Sequence, residues 1–162
     1  MPNRCPQLID YLRYTEARKI VESEILLTEC PRLVDLVSPD SDLNHTINFK
    51  FEFGVDEFAN RFVKGKVTGQ LKLICQRCMD ALDYSINIEL ALAFIKKKEQ
   101  EQEIAGLYDS FYIENKDPID FYALIEDEII LSLPLIAKHK DEKCFLNLDI
   151  KMNKGLDEIE EA

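Results

Sequence analysis

Apolar and polar residues alternate most cleanly over positions 45–53, where Ile47, Phe49, Phe51 and Phe53 face one way and Thr46, Asn48, Lys50 and Glu52 the other. A period of two is the mark of a β-strand with one buried face. The pattern resumes from Phe62 through Val67, Leu71, Leu73 and Cys75, and again from Tyr84 through Ile86, Ile88, Leu90, Leu92 and Phe94. A looser alternation over residues 22–28 predicts a short strand stopped by Cys30-Pro31, and Phe111-Tyr112-Ile113 predicts another. Gly54-Val55-Asp56-Glu57 supplies a connection. Residues 74–83 are too few for a parallel crossover, so the two longest strands form an antiparallel hairpin with Cys75 and Cys78 at its tip.

Period two gives way to a helical spacing late in the chain. Asp117-Pro118 has the residue types of an N-cap and first helical position, and Pro134 ends the element, so a helix is expected over about residues 118–133. Tyr122, Ile125, Ile129 and Leu133 form its apolar stripe, while Leu124 and Leu131 fall on the far side, to be covered by the rest of the chain or by a partner. Residues 96–103 are dense in charge and read as a mobile surface loop. The expected fold is α+β: an antiparallel, strongly curved or barrel-like sheet of about five or six strands, with one main helix packed on it. Residues 1–20 read as an N-terminal extension, 21–146 as the folded domain and 147–162 as an acidic, flexible tail.

Charge narrows the partners. The chain has 162 residues, with 31 acidic against 20 basic, a formal net charge of −11. That field opposes phosphate backbones and favours basic partners. Lys64, Lys66 and Lys72 on one strand, and Lys96, Lys97 and Lys98 in the loop, are the local exceptions, each either an anion patch or a solvated face. The first twenty residues carry no uninterrupted apolar run, and no segment reaches the roughly 20 apolar residues of a membrane span, so a cytoplasmic protein with no membrane contact is expected. In that reducing compartment, five cysteines are thiols, metal ligands or redox groups rather than a disulfide framework.

Cys75-Gln76-Arg77-Cys78 has the spacing that lets two thiolates meet one tetrahedral ion from a tight turn. His139 and Cys144, beyond the helix-ending proline, complete a possible structural zinc set of three sulfurs and one nitrogen. Two alternatives stand beside it: cysteines packed as small apolar groups, or a thiol oxidoreductase using the Cys75/Cys78 pair. Arg77 is placed either to grip a phosphate or carboxylate of a partner, or to pair internally with Glu126, Asp127 or Glu128 of the helix. There is no Gly-rich phosphate loop, GxSxG elbow or HExxH, with five glycines and two histidines in all, and a non-enzymatic role is expected.

The hairpin of residues 67–83 with its Cys-Gln-Arg-Cys, the Asp-Pro-Ile-Asp-Phe-Tyr-Ala-Leu-Ile-Glu-Asp-Glu-Ile-Ile-Leu-Ser-Leu-Pro run of 117–134, and the His-x4-Cys of 139–144 together resemble the bacterial YceD family. The resemblance spans about residues 20–146. It implies a ribosome biogenesis factor that supports accumulation of large-subunit (23S) ribosomal RNA without enzymatic activity. A large-subunit ribosomal protein or pre-ribosomal particle would be the partner, with RNA contact indirect and Arg77, Glu126, Asp127 and Glu128 as contact residues. An RNA-processing factor is the other reading. Many relatives end in an Asn-Pro-Phe-type apolar segment, whereas this chain ends Glu160-Glu161-Ala162; if that segment docks a partner, this chain is expected to bind differently or more weakly.

Overall fold

A computed structural model describes residues 4–113 and 118–140. In chain order the elements are β1 (Leu8–Ile9), α1 (Tyr11–Glu16), β2 (Ile20–Leu26), α2 (Pro31–Val34), β3 (Thr46–Val55), β4 (Arg61–Ile74), β5 (Ala81–Ile95), α3 (Gln100–Ile104), β6 (Asp109–Tyr112), β7 (Ile119–Asp120) and α4 (Phe121–Ser132). Strands β2-β3-β4-β5-β6 form one sheet in that order, antiparallel except for the parallel β5/β6 pair. Among the described residues the sheet is open, with its end strands β2 and β6 not paired with each other, so the fold is α+β and the expected barrel closure is not seen there.

The strands form where alternation is cleanest. Ile47, Phe49, Phe51 and Phe53 are all buried, as are Val63, Val67, Leu71 and Leu73 of β4 and Ile86, Leu90, Leu92 and Phe94 of β5. Two glycines fit the same inner face of β4. Gly65 lies opposite Phe51, and a Cβ there would sit 2.2 Å from the Lys50 carbonyl oxygen and 2.3 Å from the Phe51 ring. The absent side chain is what lets the phenyl ring lie across β4.

Helix α4 covers this face. Phe121 anchors it, with ring centroids 5.6, 5.1 and 5.8 Å from Phe49, Phe51 and Phe53. Its start is a correction to the sequence reading. The N-cap is Asp120, whose carboxylate accepts from the Ala123 amide at 3.0 Å, while Ile119 and Asp120 pair with Ile9 and Leu8. Pro118 therefore precedes a strand rather than opening the helix, and Asp117 lies outside the described residues. The end agrees with expectation, because Leu133 before Pro134 adopts extended backbone at φ −64°, ψ 143°. The buried face is wider than the predicted stripe: Phe121, Leu124 and Glu126 join Tyr122, Ile125 and Ile129 in the interior. Leu124 is covered by the chain, whereas Leu131 is 79% exposed.

Three further segments differ from their readings. Residues 4–20 contribute Ile9, Tyr11 and Tyr14 to the main core, and the Tyr122 hydroxyl donates to the Cys5 carbonyl at 2.7 Å. Strand β2 ends at Leu26 and a 3-10 turn follows over Leu27–Glu29, so Cys30-Pro31 does not stop the strand but opens α2, with Pro31 in the first helical turn where no amide is required. The charged stretch 96–103 holds most of α3, whose Ile104 is buried against Ala93 and Ile95, so one apolar residue anchors a segment that looked wholly solvated.

Candidate functional site

The β4–β5 hairpin turns through residues 75–80, and its geometry is set by backbone bonds. The Cys75 amide donates to the Asp80 carbonyl at 2.9 Å, and the Met79 amide to the Cys75 carbonyl at 2.8 Å. Met79 carries φ 62°, the left-handed conformation that folds the chain back after Cys78. Both cysteines are buried thiols. The segment after α4 lies on this tip, where Gln76 donates its amide to the Ala137 carbonyl at 2.8 Å, and the end of α4 is held to β5 by the Tyr84 hydroxyl, which donates to the Ser132 carbonyl at 3.1 Å.

His139 is thereby brought to the cysteines. Its Nδ1 lies 3.3 Å from Cys78 Sγ, and its amide donates to Cys75 Sγ at 3.4 Å. Its Nε2 lies 3.1 Å from the Ala81 carbonyl oxygen, which can only accept, so Nε2 carries the proton and Nδ1 offers a lone pair to the sulfurs. The ligand atoms of Cys75, Cys78 and His139 all fall within 4.8 Å of one another. Burial pushes the Cys75 thiol up, but amide donors from Cys78, His139 and Arg77 and the Cys78 side chain outweigh it and bring the group down to about 5. Cys144 lies outside the described residues.

A substrate disulfide would need a reachable sulfur, and reactive cysteines sit in partly exposed positions, commonly at a helix N-terminus. Here both cysteine residues are at most 1% exposed and stand on a hairpin turn, which does not favour the oxidoreductase reading.

Arg77 and the helix acids do not pair with each other among the described ion pairs. Arg77 donates through Nη2 to the His139 carbonyl, and its buried Nε has no hydrogen-bond partner among the described residues. The helix acids instead meet Arg32, a residue without a sequence motif to single it out: Nη2 lies 2.6 Å from Asp127 and 3.4 Å from Glu126. Glu126, expected among the contact residues, is turned inward at 3% exposure, where Oε1 accepts the Leu33 amide at 2.9 Å. It is thus a structural acceptor rather than a surface charge. Asp127 is exposed, and half-buried Glu128 is raised by burial and then by the neighbouring Asp109 and Asp127 carboxylates.

The strand lysines are exposed and interleaved with acids: Lys64 lies opposite Glu52, Lys66 opposite Glu89 on one side and Lys50 on the other, and Lys72 opposite Asp83. Lys50 Nζ is 3.9 Å from Glu22, while Lys64 Nζ lies over the Phe62 and Tyr108 rings. The outer sheet face is a mixed-charge surface and not a basic patch.

The family model described as "Large ribosomal RNA subunit accumulation protein YceD" matches residues 63–160. The chain belongs to the YceD family. The match begins in β4, takes in the Cys-Gln-Arg-Cys turn, α4 and His139, and continues into the acidic tail beyond the span over which the motifs alone suggested the YceD resemblance. A YceD relative, the large ribosomal RNA subunit accumulation protein of Haemophilus influenzae, is 26% identical over 142 residues, covering 87% of this chain and 79% of the relative. No solved structure matches the chain. Among the described residues no YceD helix is long and apolar enough to cross a membrane.

Proposed function

We propose that this protein is a non-enzymatic ribosome biogenesis factor that supports accumulation of large-subunit ribosomal RNA by docking a basic large-subunit ribosomal protein or pre-ribosomal particle in the cytoplasm. The observation that carries the reading is family membership, together with a similar protein over most of the chain whose name states that role. The physical properties agree with a protein partner and indirect RNA contact. A net charge of −11 repels phosphate, and the strand lysines are interleaved with carboxylates in the sheet register.

The docking surface assigned here runs along the outer side of α4 and the segment after it. Asp127, exposed and paired with the equally exposed Arg32, lies one helical turn from exposed Leu131, and Leu135 and Ile136 extend the apolar part toward the hairpin tip that carries Arg77. Apolar side chains beside carboxylates suit a basic protein surface, where buried area supplies affinity and charge supplies orientation.

Affinity capture of the tagged full-length protein, with and without ribonuclease, tests this. Large-subunit proteins should be retained after RNA digestion and lost in Leu131→Asp. Capture of neither ribosomal proteins nor assembly intermediates, with normal large-subunit levels in a deletion strain, would overturn it. Loss of all partners on digestion would replace protein docking by RNA binding.

A further inference from the structure

We infer that Cys75 Sγ, Cys78 Sγ and His139 Nδ1 are ligands of a structural zinc ion that clamps the β4–β5 hairpin tip to the segment following α4. The inference is independent of the ribosomal reading and stands on geometry.

Zinc bonds of about 2.3 Å to sulfur and 2.0–2.1 Å to imidazole nitrogen place tetrahedral ligand atoms about 3.5–3.8 Å apart. The 3.3 Å separation of Cys78 Sγ from His139 Nδ1, and the grouping of all three ligand atoms within 4.8 Å, need only a small adjustment to surround one ion. Three features of the neighbourhood belong to such a centre. The two-residue spacing lies on a tight turn closed by left-handed Met79, so both sulfurs point to one side of the backbone. The His139 amide already donates to Cys75 Sγ, an arrangement that stabilises thiolate. The Ala81 carbonyl holds the imidazole by Nε2, fixing ring and tautomer with the lone pair of Nδ1 inward, as outer partners of metal-bound histidines do.

Burial assigns the class. Catalytic zinc keeps a position open to water, whereas these cysteines are 0% and 1% exposed. Cys75, Cys78 and His139 supply three of the four donors that a tetrahedral ion takes. The soft, two-sulfur set favours zinc over magnesium or calcium, which take oxygen ligands. Binding displaces thiol protons to solvent and leaves the metal's oxidation state unchanged, so no oxidant or reductant is involved.

The clamp would join elements remote in sequence. Without metal, the tip meets the 133–140 segment through the Gln76–Ala137 and Arg77–His139 backbone-directed bonds, and a zinc ion would add a covalent-strength crosslink at the same place. Arg77, between the two ligands, would then be held on a rigid turn.

The test uses full-length protein purified under reducing conditions without chelator. One zinc per chain should survive gel filtration and be released when a mercurial titrates the wild-type thiols. Replacement by Co2+ should give thiolate charge-transfer absorption and the intense visible bands of a tetrahedral site. His139→Ala should weaken metal binding by more than about tenfold, the loss that even an outer partner's removal brings. Protein supplied with Zn2+ and reductant that retains none after gel filtration would overturn the inference, as would a Co2+ spectrum unaltered in Cys78→Ser. Because the wild-type measurements stand alone, a variant that fails to fold does not protect the idea.

Discussion

Glu126 Oε1 accepts the backbone N–H of Leu33 at 2.9 Å, tying the middle of α4 to the first turn of α2 across 93 positions of sequence. Removing the carboxylate leaves a buried donor without its partner. Glu126→Ala should therefore lose about 1–3 kcal/mol in urea unfolding, while Asp127→Ala, at an exposed ion pair with Arg32, should change stability by less than about 1 kcal/mol. Equal costs for the two would refute the distinction drawn between them.

Gly65 makes room for Phe51. A methyl group there would fall 2.2 Å from backbone, which a rotamer change cannot relieve. Gly65→Ala should destabilise by about 1–3 kcal/mol through overpacking, despite the better strand propensity of alanine. A thermal melt with an unchanged midpoint would show that β3 and β4 yield more readily than this packing allows.

Met79 holds φ 62° with its side chain 61% exposed. Glycine adopts that conformation freely, and little packing is lost, so Met79→Gly should stabilise the protein by about 1 kcal/mol. Denaturant midpoints measured on metal-matched samples decide it, and a loss of stability would mean that the thioether contributes contacts worth more than the backbone strain.

Cys30 is fully buried, and that burial, then the Glu126 carboxylate, push its thiol from 9.0 up to about 12, with Arg32 opposing. The folded chain thus holds the proton more tightly than the unfolded one. The associated stability is complete below about 9 and is lost as pH rises toward 12. Unfolding free energies should fall more steeply above pH 9 in wild type than in Cys30→Ala, and parallel slopes would contradict the assignment.

Much of the sheet was legible in advance because alternation records, residue by residue, which face of a strand meets the core. Phe49, Phe51 and Phe53 declare their side without reference to any partner. Helix α4 was legible for the same reason, but its start was not: Asp117 and Asp120 are both competent N-caps, and the choice was made by pairing of Ile119 and Asp120 with residues 8 and 9 far away in sequence. Local capping chemistry holds no information about that pairing. The burial of Ile104 was similarly hidden, since a lone apolar residue in a charged run has no period to read.

In the candidate site, residue types and spacing were enough to nominate Cys75, Cys78 and His139, because metal-ligand chemistry restricts which side chains matter. Their convergence was not encoded in any one segment. It follows from the β4/β5 register and from the path of the chain after Pro134, which together bring His139 Nδ1 to 3.3 Å from Cys78 Sγ. The partners of the charged groups were settled at the same level: Arg32 takes Glu126 and Asp127, and Arg77 takes a carbonyl. Periodicity is a short-range property of the chain, so it reports burial and element type; ion-pair and ligand geometry depend on separations across the fold, which exist only once the strands and α4 have packed.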